Sequence, residues 1–289
     1  MAYAFEHEET AHAGVLRVMN EQIARARGQL TDEKLPVGKR VHEARKRFKE
    51  TRALVRLVRK PLGDSFAIEN AWFRDAGRDL AGARDAEAVL ESLEKLAAHA
   101  RIPAGTLKKA RRTLEAQRDA VDATDLQGRV ANVTAQFDAA MTRLAAWPEL
   151  GRSFGAIADG LLRTYAGGRK EMRAALRARD AEALHEWRKR VKEHWYHVQL
   201  LRAVWPPMMK AYAGVLEELS HALGDHHDLH VLHEIAASEE LGEKLLAAID
   251  ARQRELEQQA EELGRRVYAE SPEAWLARMR NYWRAWRAR

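Results

Sequence analysis

The sequence predicts an all-α protein built from two related helical halves, and three observations carry that prediction. Proline is scarce, seven in 289 residues, and falls at plausible breaks: Pro36, Pro61, Pro103, Pro148, Pro206-Pro207 and Pro272. Between the breaks run stretches of Ala, Leu, Arg and Glu, all strong helix formers, with no sustained alternation of β-branched residues that would build a sheet. Finally, a segment recurs. Val41-His42-Glu43-Ala44-Arg45-Lys46-Arg47-Phe48-Lys49-Glu50 returns as Leu184-His185-Glu186-Trp187-Arg188-Lys189-Arg190-Val191-Lys192-Glu193, a shift of 143 residues.

The same shift, without a gap, carries Asp75 and Arg78 onto Glu218 and His221, and Arg84-Asp85 onto His227-Asp228. Chance likeness between two basic helices would not keep its register so far along the chain. The sequence therefore divides into two homologous repeats, 1–147 and 148–289, within one domain, meeting near Trp147-Pro148-Glu149-Leu150-Gly151. Helices are expected near 6–30, 38–60, 66–99 and 104–146 in the first, and near 152–178, 180–204, 208–237 and 239–268 in the second, with a short C-terminal helix after them. Short breaks between long amphipathic helices favour antiparallel packing, so each repeat is expected to form a four-helix bundle.

Composition narrows the function classes. Apolar residues make up 46 %, enough for a core, and charged residues 32 %, which implies long exposed helix faces. There is no cysteine, so a thiolate nucleophile, a disulfide framework and a Cys-ligated zinc are excluded, and a reducing compartment is expected. The N-terminal stretch begins acidic and lacks an unbroken apolar region, and no run of about eighteen apolar residues occurs. A cytoplasmic protein with no membrane partner is the expectation. The net charge of +6 is modest for this length, so its placement matters more than its sum.

That placement is a stripe. On a helical wheel with His42 at zero, Arg45, Lys46, Lys49, Arg52 and Arg56 all lie within about 80° of it at ~100° per residue, while Ala44, Phe48, Val55 and Val58 lie opposite. The second copy gathers His185, Arg188, Lys189, Lys192 and Tyr196 on one side and Trp187, Val191, Val198 and Leu201 on the other. Like charges three or four residues apart repel, and Glu43, Glu50, Glu186 and Glu193 sit off the stripe centres. Two such stripes point to a neutralising partner from outside the chain. A further cluster, Gly224-Asp225-His226-His227-Asp228, with its counterpart Gly82-Ala83-Arg84-Asp85, adds His221, His226, His227, Arg78 and Arg84 as candidate donors, with Asp85 and Asp228 orienting them. His230 and His233 have no basic counterpart and read as packing residues.

Arg presents a planar fork that holds phosphate bidentately, and Lys an adaptable point charge. His42 and His185, set among cations, are expected to be neutral when the site is empty and to take up a proton when phosphate arrives. An extended polymer with one charge per phosphate suits two matching stripes better than a small anion, because counterion release adds along its length.

The spacing His-x-x-Arg-x-x-x-Lys, present as His42/Arg45/Lys49 and as His185/Arg188/Lys192, resembles that of the CHAD family, the conserved histidine α-helical domain. So do Leu223-Gly224-Asp225-His226-His227-Asp228-Leu229 and its weaker partner Ala81-Gly82-Ala83-Arg84-Asp85. The resemblance covers nearly the whole chain. It implies two four-helix bundles related by a pseudo-twofold axis around a basic cavity or groove, binding of inorganic polyphosphate, association with polyphosphate granules, and no catalysis or cofactor. Two departures stand out. Trp195 occupies the place of Arg52, and Glu50 and Glu193 sit where the family commonly has a further basic residue; Lys189 and Arg202 are placed to compensate.

Rival readings remain open on the residues alone. Glu182-x-x-His185 and Glu218-x-x-His221 have the spacing of a di-iron or di-manganese carboxylate bundle, but their first-repeat counterparts, Lys39/His42 and Asp75/Arg78, do not preserve ligands. Hydrolysis of the polymer needs a carboxylate-held cation or a nucleophile, and no such cluster is evident. Nucleic acid is the alternative polyanion, although Trp187, Trp195, Trp283 and Trp286 lie at packing spacings rather than as a base-stacking platform.

Overall fold

The computed structural model describes residues 3–81, 83–119 and 123–288, with their side chains apart from those of 83–86, 123 and 124. The described residues form α-helices and no strand. The first repeat holds α1 (Ala11–Thr31), α2 (Val37–Leu57), the one-turn α3 (Arg59–Leu62), α4 (Ser65–Asp79), α5 (Ala83–His99), α6 (Ala104–Asp119), α7 (Ala123–Ala135) and α8 (Phe137–Ala145). The second holds α9 (Gly155–Ala178), α10 (Ala181–Leu200), α11 (Pro206–Ser238), α12 (Glu243–Val267) and α13 (Pro272–Arg287).

Local chemistry sets several starts. Thr10, Asp180 and Ser271 cap α1, α10 and α13, their side-chain oxygens accepting from the N–H groups of Ala13 (3.1 Å), Ala183 (2.8 Å) and Ala274 (3.2 Å). Pro206 and Pro272 open α11 and α13, where a missing N–H costs no helical hydrogen bond.

The sequence pattern over 66–99 predicts one helix, and the structure has two, α4 and α5. The cause is tertiary. Whereas α4 packs on α2, α5 turns away to bury Val89, Leu93 and Leu96 and docks on α11 and α12 of the other repeat. Its counterpart α11 stays with α10 and α12 and runs unbroken for 33 residues. Within 104–146, α7 and α8 are separate at Gln136, and the join between α6 and α7 lies outside the described residues.

A single hydrophobic core extends through both repeats. Ala44, Phe48, Val55 and Val58 of the first motif helix are buried, as are Trp187, Val191, Val198 and Leu201 from the second motif segment, so the apolar faces read from the wheel are the packed ones. Phe48 anchors α2 against Phe137, Trp72 and Phe73, with ring centroids 6.0, 6.0 and 6.4 Å away. Between α9 and the end of α2 the backbones touch at Gly160, where a Cβ would collide with the Leu57 carbonyl. Among the described residues no helix is long and apolar enough to cross a membrane.

Inside the second repeat, His194 is fully buried among Tyr165, Tyr212, Tyr268 and Trp275, with a 3.3 Å hydrogen bond between its Nε2 and the Tyr212 hydroxyl. Burial, then the neighbouring His197, pushes its pKa down to about 3. The imidazole is therefore neutral in the folded protein at ordinary pH. Above a pH of about 6.5 it is neutral in the unfolded chain as well and costs nothing. As pH falls below that, the unfolded chain takes up a proton that the folded one refuses, and stability declines until the folded pKa is reached. Urea denaturation at a series of pH values should show this loss. In His194→Phe the slope between pH about 6 and 4 should be shallower by about 1.4 kcal/mol per pH unit, and an unaltered slope would mean that His194 is not the titrating group.

Candidate functional site

The two motif helices, α2 and α10, meet in a short contact, the crossing. At the crossing, His197 Nε2 lies 2.9 Å from the Ala53 carbonyl oxygen, and Arg56 Nη1 lies 3.2 Å from Glu193 Oε2. Glu50 and Glu193, which occupy the same place in the two repeats, are only 5 % and 8 % exposed. Each is held by the arginine one turn before it: Arg47 donates to Glu50 at 2.6 Å and Arg190 to Glu193 at 3.4 Å. Gln22 on α1 accepts from Arg47, and Thr164 on α9 donates to Glu193. Burial raises the Glu50 pKa, opposed first by Arg47 and then by Lys46. The departure from the family pattern at these two positions thus has a structural reason. Glu193 serves the contact between α2 and α10 through Arg56, and Glu50 is held by Arg47 of its own helix.

Around the crossing the cations of the two repeats come together. Burial, then Arg188, lowers the pKa of Lys192 on α10; Glu217 opposes the shift, Lys46 of α2 adds to it, and Glu50 opposes it. That influence of Lys46 joins the two stripes electrostatically. The Lys192 ammonium lies 4.9 Å from the Trp195 ring centroid and 6.0 Å from that of Tyr196. Trp195, which replaces the expected arginine, therefore shelves a cation instead of adding one. In the first repeat, Arg52 donates from Nε to Asn70 Oδ1 at 3.1 Å, and its pKa is lowered by burial and then by Arg56. Burial lowers the Arg56 pKa as well. Along the same side of α2, His42, Lys46 and Lys49 are exposed and Arg45 is half-buried.

The long α11 runs beside α10 and completes this face. His185 packs against His227, ring centroids 4.2 Å apart. Its Nδ1 is buried with no hydrogen-bond partner among the described residues. Burial, then Lys189 and Arg188, lowers the His185 pKa; burial, then His185 and Arg188, takes His227 down to about 4. Both rings are thus held neutral beside cations. Arg188 lies over Gly224, where a Cβ would come within 3.2 Å of Nη2 and 3.4 Å of Nε. The glycine makes room for the guanidinium.

Other residues of the predicted site lie elsewhere. His226 is buried, with Nε2 3.0 Å from Glu257 Oε1, and ties α11 to α12. Tyr196 is buried beneath Lys192 with its ring against Tyr3 and Trp195. These two reinforce the scaffold and do not face an incoming anion. Arg78 is exposed and lies 3.8 Å from Asp75. Lys189 is exposed and bound to Glu186, while His221 and Arg202 are exposed on α11 and in the turn after α10. The side chain of Arg84 lies outside the described residues. Sequence reasoning missed Asn70, the Arg47–Glu50 and Arg190–Glu193 pairs, and Lys95, whose Nζ reaches Asp225 at 2.7 Å and clamps α5 to α11. The recurrence of Arg-x-x-Glu inside both motif copies was the available signal for the buried pairs. Among the described residues no group of three or more His, Asp or Glu is arranged to hold a metal ion.

The profile of the CHAD domain matches residues 17–237 of this chain. The chain belongs to the CHAD family. Among solved structures, the CHAD domain from the plant Ricinus communis is similar over 99 % of this chain and 95 % of that one, with a TM-score of 0.58 at 19 % sequence identity, a likeness of fold. No curated protein matches. In this CHAD protein both the histidine motifs and the Gly224 segment fall inside the matched region, whereas α12 and α13 lie beyond it.

A test of the Arg188–Gly224 contact follows. Gly224→Ala should leave stability unchanged or raise it, since alanine favours a helix by up to about 1 kcal/mol. It should also displace the Arg188 guanidinium and weaken binding of polyphosphate, the ligand the family resemblance implies. Unfolding and titration of the same variant separate the two effects, and unaltered affinity would remove Arg188 from the site.

Proposed function

We propose that this CHAD protein binds inorganic polyphosphate, non-catalytically, along the face where α2, α10 and α11 converge. The observation that carries this reading is geometric: Arg56–Glu193 (3.2 Å) and His197–Ala53 (2.9 Å) tie α2 to α10, with Lys192 over the Trp195 ring, Arg188 over Gly224 and His185 against His227 on the same helices. Cations brought together against their own repulsion and partly stripped of water are stabilised by an anion that bridges them. His42, Arg45, Lys46, Lys49, Arg52 and Arg56 form one wall, and His185, Arg188, Lys192 and His227 the other. The protein works in the cytoplasm, held at polyphosphate granules by this binding and acting as a targeting module rather than a hydrolase.

Calorimetry against polyphosphate, pyrophosphate, RNA and DNA at matched phosphate concentration tests the ligand class. Polyphosphate should bind most tightly and should displace the nucleic acids. Affinity should fall steeply with salt, with a log–log slope of about −0.7 for each cation that releases a counterion from a single-stranded polyanion. A flat salt response, or equal binding of orthophosphate, would contradict a polymer track; tighter binding of RNA or DNA would transfer the site to nucleic acid.

The neutral histidines give a second signature. An arriving polyanion raises the pKa values of His185 and His227 from their depressed positions. A group whose pKa is higher in the complex favours the complex where it is protonated. Binding should therefore take up protons, and affinity should rise as pH falls through the raised pKa values of the complex, levelling off for His227 below its free value of about 4. Titrations in buffers of different ionisation enthalpy measure the uptake. His185→Gln with His227→Gln should abolish most of it, and wild-type uptake in that double variant would exclude both rings.

A further inference from the structure

Outside the α2–α10 face, the strongest positive feature lies along the outer side of α9. Arg169, Arg173 and Arg177 stand four residues apart, and Lys170 beside them, on one face at ~100° per residue. Lys170, Arg173 and Arg177 are exposed and Arg169 is half-buried. Among the described residues none of the four lies within ion-pair distance of a carboxylate. Glu171 points to the far side of the helix, and Glu261 is taken by Arg265 at 2.7 Å and Arg179 at 3.3 Å.

The three arginines form a ridge between two shallow troughs. One is lined also by Lys170 and Pro272, the other by Met172, Leu176, Arg265 and Tyr268. The apolar floor keeps water away from the aliphatic stems and leaves the guanidinium forks at the rim. Three like charges at four-residue spacing destabilise an isolated helix by a few tenths of a kcal/mol per pair. Among the described residues no carboxylate lies within ion-pair distance to offset that repulsion.

Nor is the ridge a by-product of the duplication. The repeat shift places Ala26, Leu30 and Lys34 opposite Arg169, Arg173 and Arg177, and the first two of these are buried core residues. The ridge does, however, lead back to the crossing. Arg163, one heptad before Lys170 and two before Arg177, shares their side of α9 and donates from Nη2 to the Arg56 carbonyl at 2.8 Å while also holding Asp159. From Arg163 to Arg177 the helix rises about 21 Å at ~1.5 Å per residue. The Arg190 side chain lies across the gap at Gly167.

We propose that this outer face of α9 is a second anion-binding ridge, in which Arg169, Lys170, Arg173 and Arg177 hold the overhanging part of a phosphate polymer whose other part occupies the α2–α10 face. The proposal rests on the polyphosphate reading above. It makes the protein selective for chain length: short chains fill the central face alone, and long chains gain the ridge as well.

The test compares tripolyphosphate with long-chain polyphosphate on the full chain carrying Arg169→Ala, Arg173→Ala and Arg177→Ala together. These positions are at the surface, and circular dichroism checks that helix content is retained. Tripolyphosphate affinity should match wild type. Long-chain affinity should drop, and its log–log salt slope should flatten by about 2, at ~0.7 for each of three lost counterion releases. Unchanged long-chain affinity and slope would overturn the ridge while leaving the central site standing. Equal weakening of both ligands would overturn the division of labour by length. Failure of the wild-type protein to bind polyphosphate of any length would overturn the central reading, and the ridge with it.

Discussion

The site depends on the crossing of α2 and α10, and the crossing is pinned by the buried Glu193, reached by Arg56, and by His197 on the Ala53 carbonyl. Glu50 and Glu193 sit at equivalent places in the two repeats, nearly out of reach of water, each tied to the arginine one turn earlier. A carboxylate buried in this way is tolerable only when paired, and removing one partner of a buried pair costs about 3–5 kcal/mol. Arg56 reaching from α2 to Glu193, and His197 reaching from α10 to the Ala53 carbonyl, fix the two helices in register. With the register fixed, the remaining cations of both helices have one side left to them.

That arrangement separates two kinds of charge. Arg47, Arg190 and, in part, Arg56 are neutralised within the fold and contribute rigidity. Among the described residues Lys46, Lys192 and Arg188 carry no such pairing, and burial, then Arg188, lowers the Lys192 pKa while Glu217 and Glu50 offset part of the shift. The His185–His227 pair extends the same logic to imidazoles, whose pKa values burial and nearby cations lower, that of His227 to about 4. An anion reverses that balance at all of these groups together. Binding, proton uptake and salt sensitivity are then aspects of one electrostatic state.

Much of this was legible in the sequence, because a duplicated motif reports which residues keep company. The wheel separated Phe48, Val55, Trp187 and Val198 from the basic side, and these are core residues. What the sequence hid depends on contacts across large separations. His226 looked like a donor equal to His227, yet one step along α11 turns it through about 100° onto Glu257 of α12. The break that sends α5 away from α4 carries no local mark strong enough to distinguish it from the unbroken α11; docking on the other repeat decides it. Glu50 and Glu193 read as interruptions of a basic stripe, yet both are buried and paired, and Glu193 is the one that Arg56 reaches from α2. The ridge on α9 was not legible from the recurrence, because the repeat shift aligns Arg169 and Arg173 with the core residues Ala26 and Leu30.

The claim that two repeats form one site is tested most directly by the stoichiometry and affinity of a short polyphosphate titrated into wild-type protein and into two variants. One carries Arg45→Glu with Lys49→Glu, the other Arg188→Glu with Lys192→Glu. If both walls grip the same chain, wild type binds one chain per molecule, and each variant binds far more weakly with no change in that stoichiometry. Two chains per wild-type molecule, with each variant losing one and keeping the other at full affinity, would show two separate sites and contradict the convergence of the repeats.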